Sequence, residues 1–198
     1  MIVFTVDDNG LIKTIANQLG EYHDKAPTVL KQALNATAKD ARSMLAEQAK
    51  EIYVIQKSRF NKAMTIKNAS SRKLEALVIA TGTPMELIDF KTNPKAPSTG
   101  ANRPEVTKGK VLTASGLKRL EVGNIKAFVA KFSSGHVSIV QRRTAARLPI
   151  KKLLSPSIPK MIGNEKEVYG KVQPEIAQLL DENIRKYIAK TIERGKKK

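Results

Sequence analysis

The sequence predicts an α+β fold in which long amphipathic helices near both ends pack on a central antiparallel β-sheet. Three observations predict it. Leu30, Leu34, Ala38, Ala41, Leu45, Gln48 and Ile52 recur at steps of three and four, which is one seam of a 3.6-residue helix. Val168, Val172, Ile176, Leu179/Leu180, Ile184, Tyr187/Ile188 and Ile192 repeat that spacing near the other end. Between the two seams lie short apolar or alternating runs punctuated by Asn, Ser, Gly and Thr, the pattern of strands. A chain of 198 residues, 41% hydrophobic, can close one continuous core, so residues 1–198 are read as a single domain.

The elements follow in order. "MIVFTV" has strand content and ends in the turn-prone "DDNG", where Asp7 and Asp8 can cap what comes next. Leu11, Ile12, Ile15 and Leu19 fit a short helix before Gly20. The first long helix should begin near Pro27, whose fixed φ and missing donor suit a first turn. Ala33, Ala36 and Ala46 raise its propensity and permit close approach, and its polar faces predict packing along one side only. "AMTIKNA", "KLEALVIA" and "MELIDF" read as strands. Residues 91–109, with Pro94, Pro97, Pro104, Gly100 and Gly109, read as a long mobile loop. "KVLTA" resumes the sheet, and "AFVAKF-SSG-HVSIVQR" predicts an antiparallel hairpin turned at Gly135. Pro149 then breaks the sheet, Pro174 either starts or kinks the last helix, and residues 194–198 form a flexible basic tail.

Charge and composition bound the partners. The net charge is +18, from 36 basic and 18 acidic residues. Such an excess disfavours a lone compact state and favours polyanions or acidic partners. It is regional: residues 91–160 carry 15 basic against two acidic side chains, whereas residues 1–56 are close to neutral. Aromatics at 5% and no Trp argue against a platform for stacking bases. No Cys is present, which excludes disulfides and thiolate ligands. No run approaches the roughly 20 apolar residues of a membrane span, and the opening lacks the basic flank and long apolar core of a signal peptide. The expectation is a protein made and kept in the cytoplasm until it leaves inside a larger particle, with no membrane partner.

Constellations for catalysis are missing from the sequence. His23 and His136 have no companions at metal-ligand spacing. Ser115 in "TASGLKR" is a lone serine in a turn, and no phosphate-cradling glycine loop occurs. A nuclease needs clustered carboxylates for Mg²⁺ near its basic surface, yet the basic region holds only Glu105 and Glu121. The reading is non-enzymatic, without cofactor or metal.

The segment "QRRTAARLPIKKLLSPSIPKM", residues 141–161, concentrates cations without an acid and contains three prolines. Arg142, Arg143, Arg147, Lys151 and Lys152 can neutralise phosphates of double-stranded DNA, weakly and without sequence preference. They can equally pair with carboxylates of an acidic protein partner, or stand as a solvated face. Leu148, Pro149, Ile150, Leu153, Leu154, Pro156, Ile158 and Met161 are too apolar to stay fully wet. They predict an irregular, pre-stiffened segment that docks on a neighbour, or one that folds back on its own sheet.

At "RLPIKKLLSPSIPKMIGN" the chain resembles the prophage minor tail protein Z family, related to tail-completion proteins of long-tailed phages. Arg147, Leu148–Pro149–Ile150, Ser155–Pro156–Ser157 and Ile158–Pro159–Lys160–Met161 carry the resemblance, with Ser155 standing where the family commonly has glycine. "VDDNGLIKTIANQL", "VLKQALNATAKDAR", "AFVAKFSSGHVSIVQRR" and "VQPEIAQLLDENIRKYIAK" extend it in the same order over nearly the whole chain. The resemblance implies a structural virion protein of the tail. It would act in tail completion and head–tail joining at the head-proximal end, as a homo-oligomeric ring around the DNA passage. Its implied partners are other tail or head-connector proteins; the loop and proline signals make residues 91–109 and 142–161 the candidate docking segments. The alternatives are a DNA-binding or packaging accessory whose charge is its main device, and a neck adaptor.

Overall fold

The computed structural model describes residues 2–3, 8–98, 100–102 and 104–197, so the proposed cap at Asp7 lies outside the described residues. Five α-helices and twelve short strands alternate along them as α+β. α1 (Asp8–Leu19) ends at Gly20, whose φ of +56° suits a residue without Cβ, and a short 3-10 turn, Gly20–Lys25, leads into α2 (Ala26–Ile52). Pro27 sits in the first turn of α2, as its locked φ predicts.

α2 is the axis of the molecule. Its buried residues are Ala26, Val29, Leu30, Ala33, Leu34, Thr37, Ala38, Ala41, Leu45, Ala46 and Ala49, which is a wider arc than one seam. It packs on α1, α3 (Lys57–Ala63), α4 (Ile158–Ile162) and α5 (Tyr169–Lys196), and also on strands β2 (Met64–Lys67) and β3 (Leu77–Ala80). The expected packing along one side is therefore corrected. Ala33 and Ala46, expected to permit close approach, are fully buried, because a methyl lets a second and third neighbour approach the same backbone. α5 makes the most extensive of these contacts. Thr37 and Asn183, both buried, join the two helices through an Asn183 Nδ2 to Thr37 Oγ1 hydrogen bond of 3.0 Å. α5 begins at Tyr169 and runs through Pro174 without ending, and near its far end Gly195 lies against Tyr22, where a Cβ would collide with the ring.

The strands are all antiparallel but divide into several small sheets. β1 (Ile2–Val3), β3 and β2 form one, with β3 in the middle. β4 (Pro84–Glu86) pairs with β12 (Leu154–Ser157). β5 (Lys91–Asn93), β6 (Lys108–Lys110) and β7 (Lys118–Arg119) form a third sheet. The fourth runs in the order β11 (Ile150–Lys152), β10 (Val137–Arg142), β9 (Ile125–Lys131), β8 (Glu121–Val122).

Several expected boundaries move. Of "MELIDF", Leu87–Asp89 is a 3-10 turn rather than strand. "KVLTA" contributes Lys110 to β6 and a single bridge from Leu112 to Tyr53. The ends of the predicted loop at 91–109 are tied into β5 and β6.

Candidate docking surface on the basic hairpin

The surface is built on β10. Its neighbour β9 is joined to it by a turn in which Gly135 adopts φ +83°, and the register pairs Ile139 with Val129 and Val140 with Phe128. Ser138, Ile139, Val140 and Gln141 are all buried, so β10 is covered on both faces. Beyond Arg142 the chain leaves the sheet only for a short loop. The amide of Arg143 donates to the carbonyl of Pro149 (3.0 Å), closing an exposed loop, and β11 returns along β10 with Arg142 opposite Ile150.

This corrects the expectation that Pro149 breaks the sheet and leaves an irregular segment. All three prolines sit where their missing N–H costs no ladder bond. Pro149 precedes β11, Pro156 lies at a register shift of the two-stranded β12–β4 ribbon, and Pro159 is in the first turn of α4. Ser155 is accordingly a strand residue, its hydroxyl 3.4 Å from the Met85 carbonyl, and not part of a turn.

Apolar side chains of the segment divide into two sets. Ile158 and Met161 are buried in this chain's own core beside α2 and α3, so the shelter expected from a neighbour is supplied internally. Leu153 and Ile150 are half-buried. Leu148 (67% exposed) and Leu154 (56%) remain in water, as do Pro149 and Pro156.

The five singled-out cations also part company. Arg142, Arg143 and Lys151 line one depression of about 300 Å³ together with Val122, Ile125 and Gln141. Its floor is fixed by the buried Gln141 amide, which donates to the Ile125 carbonyl at 2.8 Å. The guanidinium of Arg142 lies over the Phe128 ring at 5.8 Å, which holds it without neutralising it. Arg147 is exposed on the loop. Lys152 faces the other way, its Nζ over the Phe132 ring at 5.6 Å and donating to Glu86 Oε1 at 2.7 Å.

Glu86 is the centre of a cluster that the sequence reading did not assemble. His136 Nε2 lies 2.9 Å from its Oε2, and burial pushes its carboxyl up. Hydrogen bonds from Lys152 and His136 outweigh that and lower the pKa to about 2. The buried Ser138 hydroxyl also favours the anion, although it makes no hydrogen bond of ordinary geometry. The cluster ties β4 to β10 and β11. Val122, 69% exposed at the rim of the depression, was also missed, since the apolar residues of "LEVGNI" are too few to carry a periodic signal.

Residues 9–194 match the family described as prophage minor tail protein Z (GPZ), which is nearly the full chain. The chain belongs to the prophage minor tail protein Z family. No curated protein and no solved structure matches it. As a minor tail protein it presents, over the β10–β11 hairpin and the start of β12, cations without an ion-pair partner among the described residues and the exposed Leu148 and Leu154. No helix among its described residues is long and apolar enough to cross a membrane.

Proposed function

We propose that this minor tail protein is a structural, non-enzymatic subunit that acts in tail completion and head–tail joining. In this reading it works as one copy of a homo-oligomeric ring that docks on other tail or head-connector proteins through the β10–β11 hairpin. The observation that carries it is the mixed character of that hairpin and of the start of β12 that follows it. Leu148 and Leu154 stay exposed while Arg142, Arg143 and Lys151 ring a depression with the apolar Val122 and Ile125 at its edge. Apolar anchors surrounded by arginine forks fit a protein surface bearing carboxylates next to apolar side chains. Phosphates alone would leave the leucines unused. A ring subunit further needs unlike side surfaces, since head-to-tail contacts close only by repetition about an axis.

Leu148→Asp combined with Leu154→Asp tests this. Both positions are exposed, so the variant is expected to fold, with an unchanged far-ultraviolet spectrum, and to yield heads and tails that fail to join in complemented particles. Normal yield of joined particles carrying the folded variant would remove the hairpin from this role.

A further inference from the structure

A second basic surface lies away from the hairpin, between α2 and α5. Gln32, Asn35, Ala36, Lys39, Asp40 and Arg42 of α2 form one wall of a groove of about 850 Å³; Tyr187, Lys190 and Arg194 of α5 form the other, with Ile66 and Asn68 at its end. The spacings are those of single helix faces, so the cations project in rows rather than at random. Lys190 and Arg194 are about 6 Å apart along α5, and Lys39 and Arg42 about 4.5 Å along α2.

The geometry of the groove is held from below. Asn35 donates Nδ2–H to the carbonyl of Ala69 (3.2 Å) and accepts from the Ala69 amide (2.6 Å), pinning the chain that leaves β2. β2 is an edge strand of its sheet and contributes Ile66 to the groove. Among the described residues, Lys39, Arg42 and Arg194 have no ion-pair partner, and the ammonium of Lys190 only lies over the Tyr187 ring at 5.9 Å. Four cations thus face one acid, Asp40, across a polar gap.

We propose that this groove binds the phosphate backbone of double-stranded DNA. Three features choose that occupant. Charge complementarity requires a polyanion. The lining is mostly amides and charged side chains, with Ala36, Ile66 and Tyr187 as its apolar members, so it offers few of the desolvated anchors on which protein interfaces depend. Tyr187, already engaged with Lys190, is the only ring among the described residues that line it, so unstacked bases of a single strand would find no platform. What remains is backbone contact, which positions a duplex without reading its sequence. Asp40 in the same groove keeps the contact weak. The inference stands independently of the docking role of the hairpin.

Anisotropy of a labelled duplex of arbitrary sequence, titrated with the full-length chain, tests it. Four phosphate contacts predict a slope of log affinity against log salt of about −3.6. Lys190→Glu with Arg194→Glu should lower affinity more than about tenfold at about 50 mM salt and flatten the slope by about two. Lys160→Glu with Lys166→Glu changes net charge equally at exposed sites elsewhere, and should bind nearly as the unaltered chain does. In the unaltered protein, DNA should protect Lys39 and Lys190 from acetylation, a readout that needs no variant to fold. The proposal is overturned by the absence of duplex binding at low salt, by equal losses in both charge-reversed variants, or by unprotected Lys39 and Lys190. Protection by polyglutamate but not by duplex would assign the groove to an acidic protein and overturn it likewise.

Discussion

Glu86 shows how much one side chain can hold. Its side chain, 20% exposed, joins Lys152 of β11 and His136 at the head of β10 to the β4–β12 ribbon, beside the backbone bonds that Leu153 makes to Ile139 and Leu87. Because its pKa is lowered from 4.5 to about 2, the folded state binds this proton less readily than the unfolded chain. Its stabilisation is therefore complete above about pH 4.5 and is lost as the pH falls towards about 2. Lys152 and His136 are each nearly half exposed, so screening limits the effect. Glu86→Gln should cost about 1–2 kcal/mol at pH 7, read by urea unfolding, with the gap closing as the pH falls below about 4. An undiminished gap at pH 3 would mean that packing, and not charge, holds the ribbon.

At the scale of elements, α2 and α5 set the molecule, and one polar bond sets their mutual position. Asn183 and Thr37 are both buried, and a hydroxyl–amide pair in an apolar interface can be satisfied only when the helices sit in one register. Asn183→Ala alone strands Thr37 and should cost about 2 kcal/mol. Adding Thr37→Val should restore part of that, because neither partner is then left wanting; chemical denaturation of the four proteins gives the coupling. Additive losses would show that the bond is incidental. The two helices were legible in the sequence because their seams are long and regular, and the β9–β10 hairpin because "SSG" sits between alternating runs. Strands of two to four residues were not legible to their ends, since so few residues carry no period. Nor was the fate of Pro149, Pro156 and Pro159, for a proline is compatible with a break, a strand start or a ribbon bulge, and only the partner strand decides.

For the whole molecule, the decisive quantity is +18 charges on 198 residues. Among the described residues most lysines and arginines have no ion-pair partner, so mutual repulsion should dominate the scattered surface pairs. Raising sodium chloride from about 20 to about 300 mM should lift Tm by several degrees. A fall in Tm would show that the attractive pairs prevail. The hairpin cations were found from the sequence because they are neighbours in it: Arg142, Arg143 and Lys151 meet at one depression, although Lys152 turns away. The groove was not, because counting charge segment by segment assigns Lys39 and Arg42 to a nearly neutral stretch and Lys190 and Arg194 to another far along the chain. The central place of α2 has one more outcome. The helix that lies most extensively against it is made long after it, so a growing chain carries an uncovered greasy flank until Tyr169–Lys196 has emerged. Fragments stopped before Tyr169 should then be prey for chaperones and proteases, and only finished subunits would reach the assembling particle.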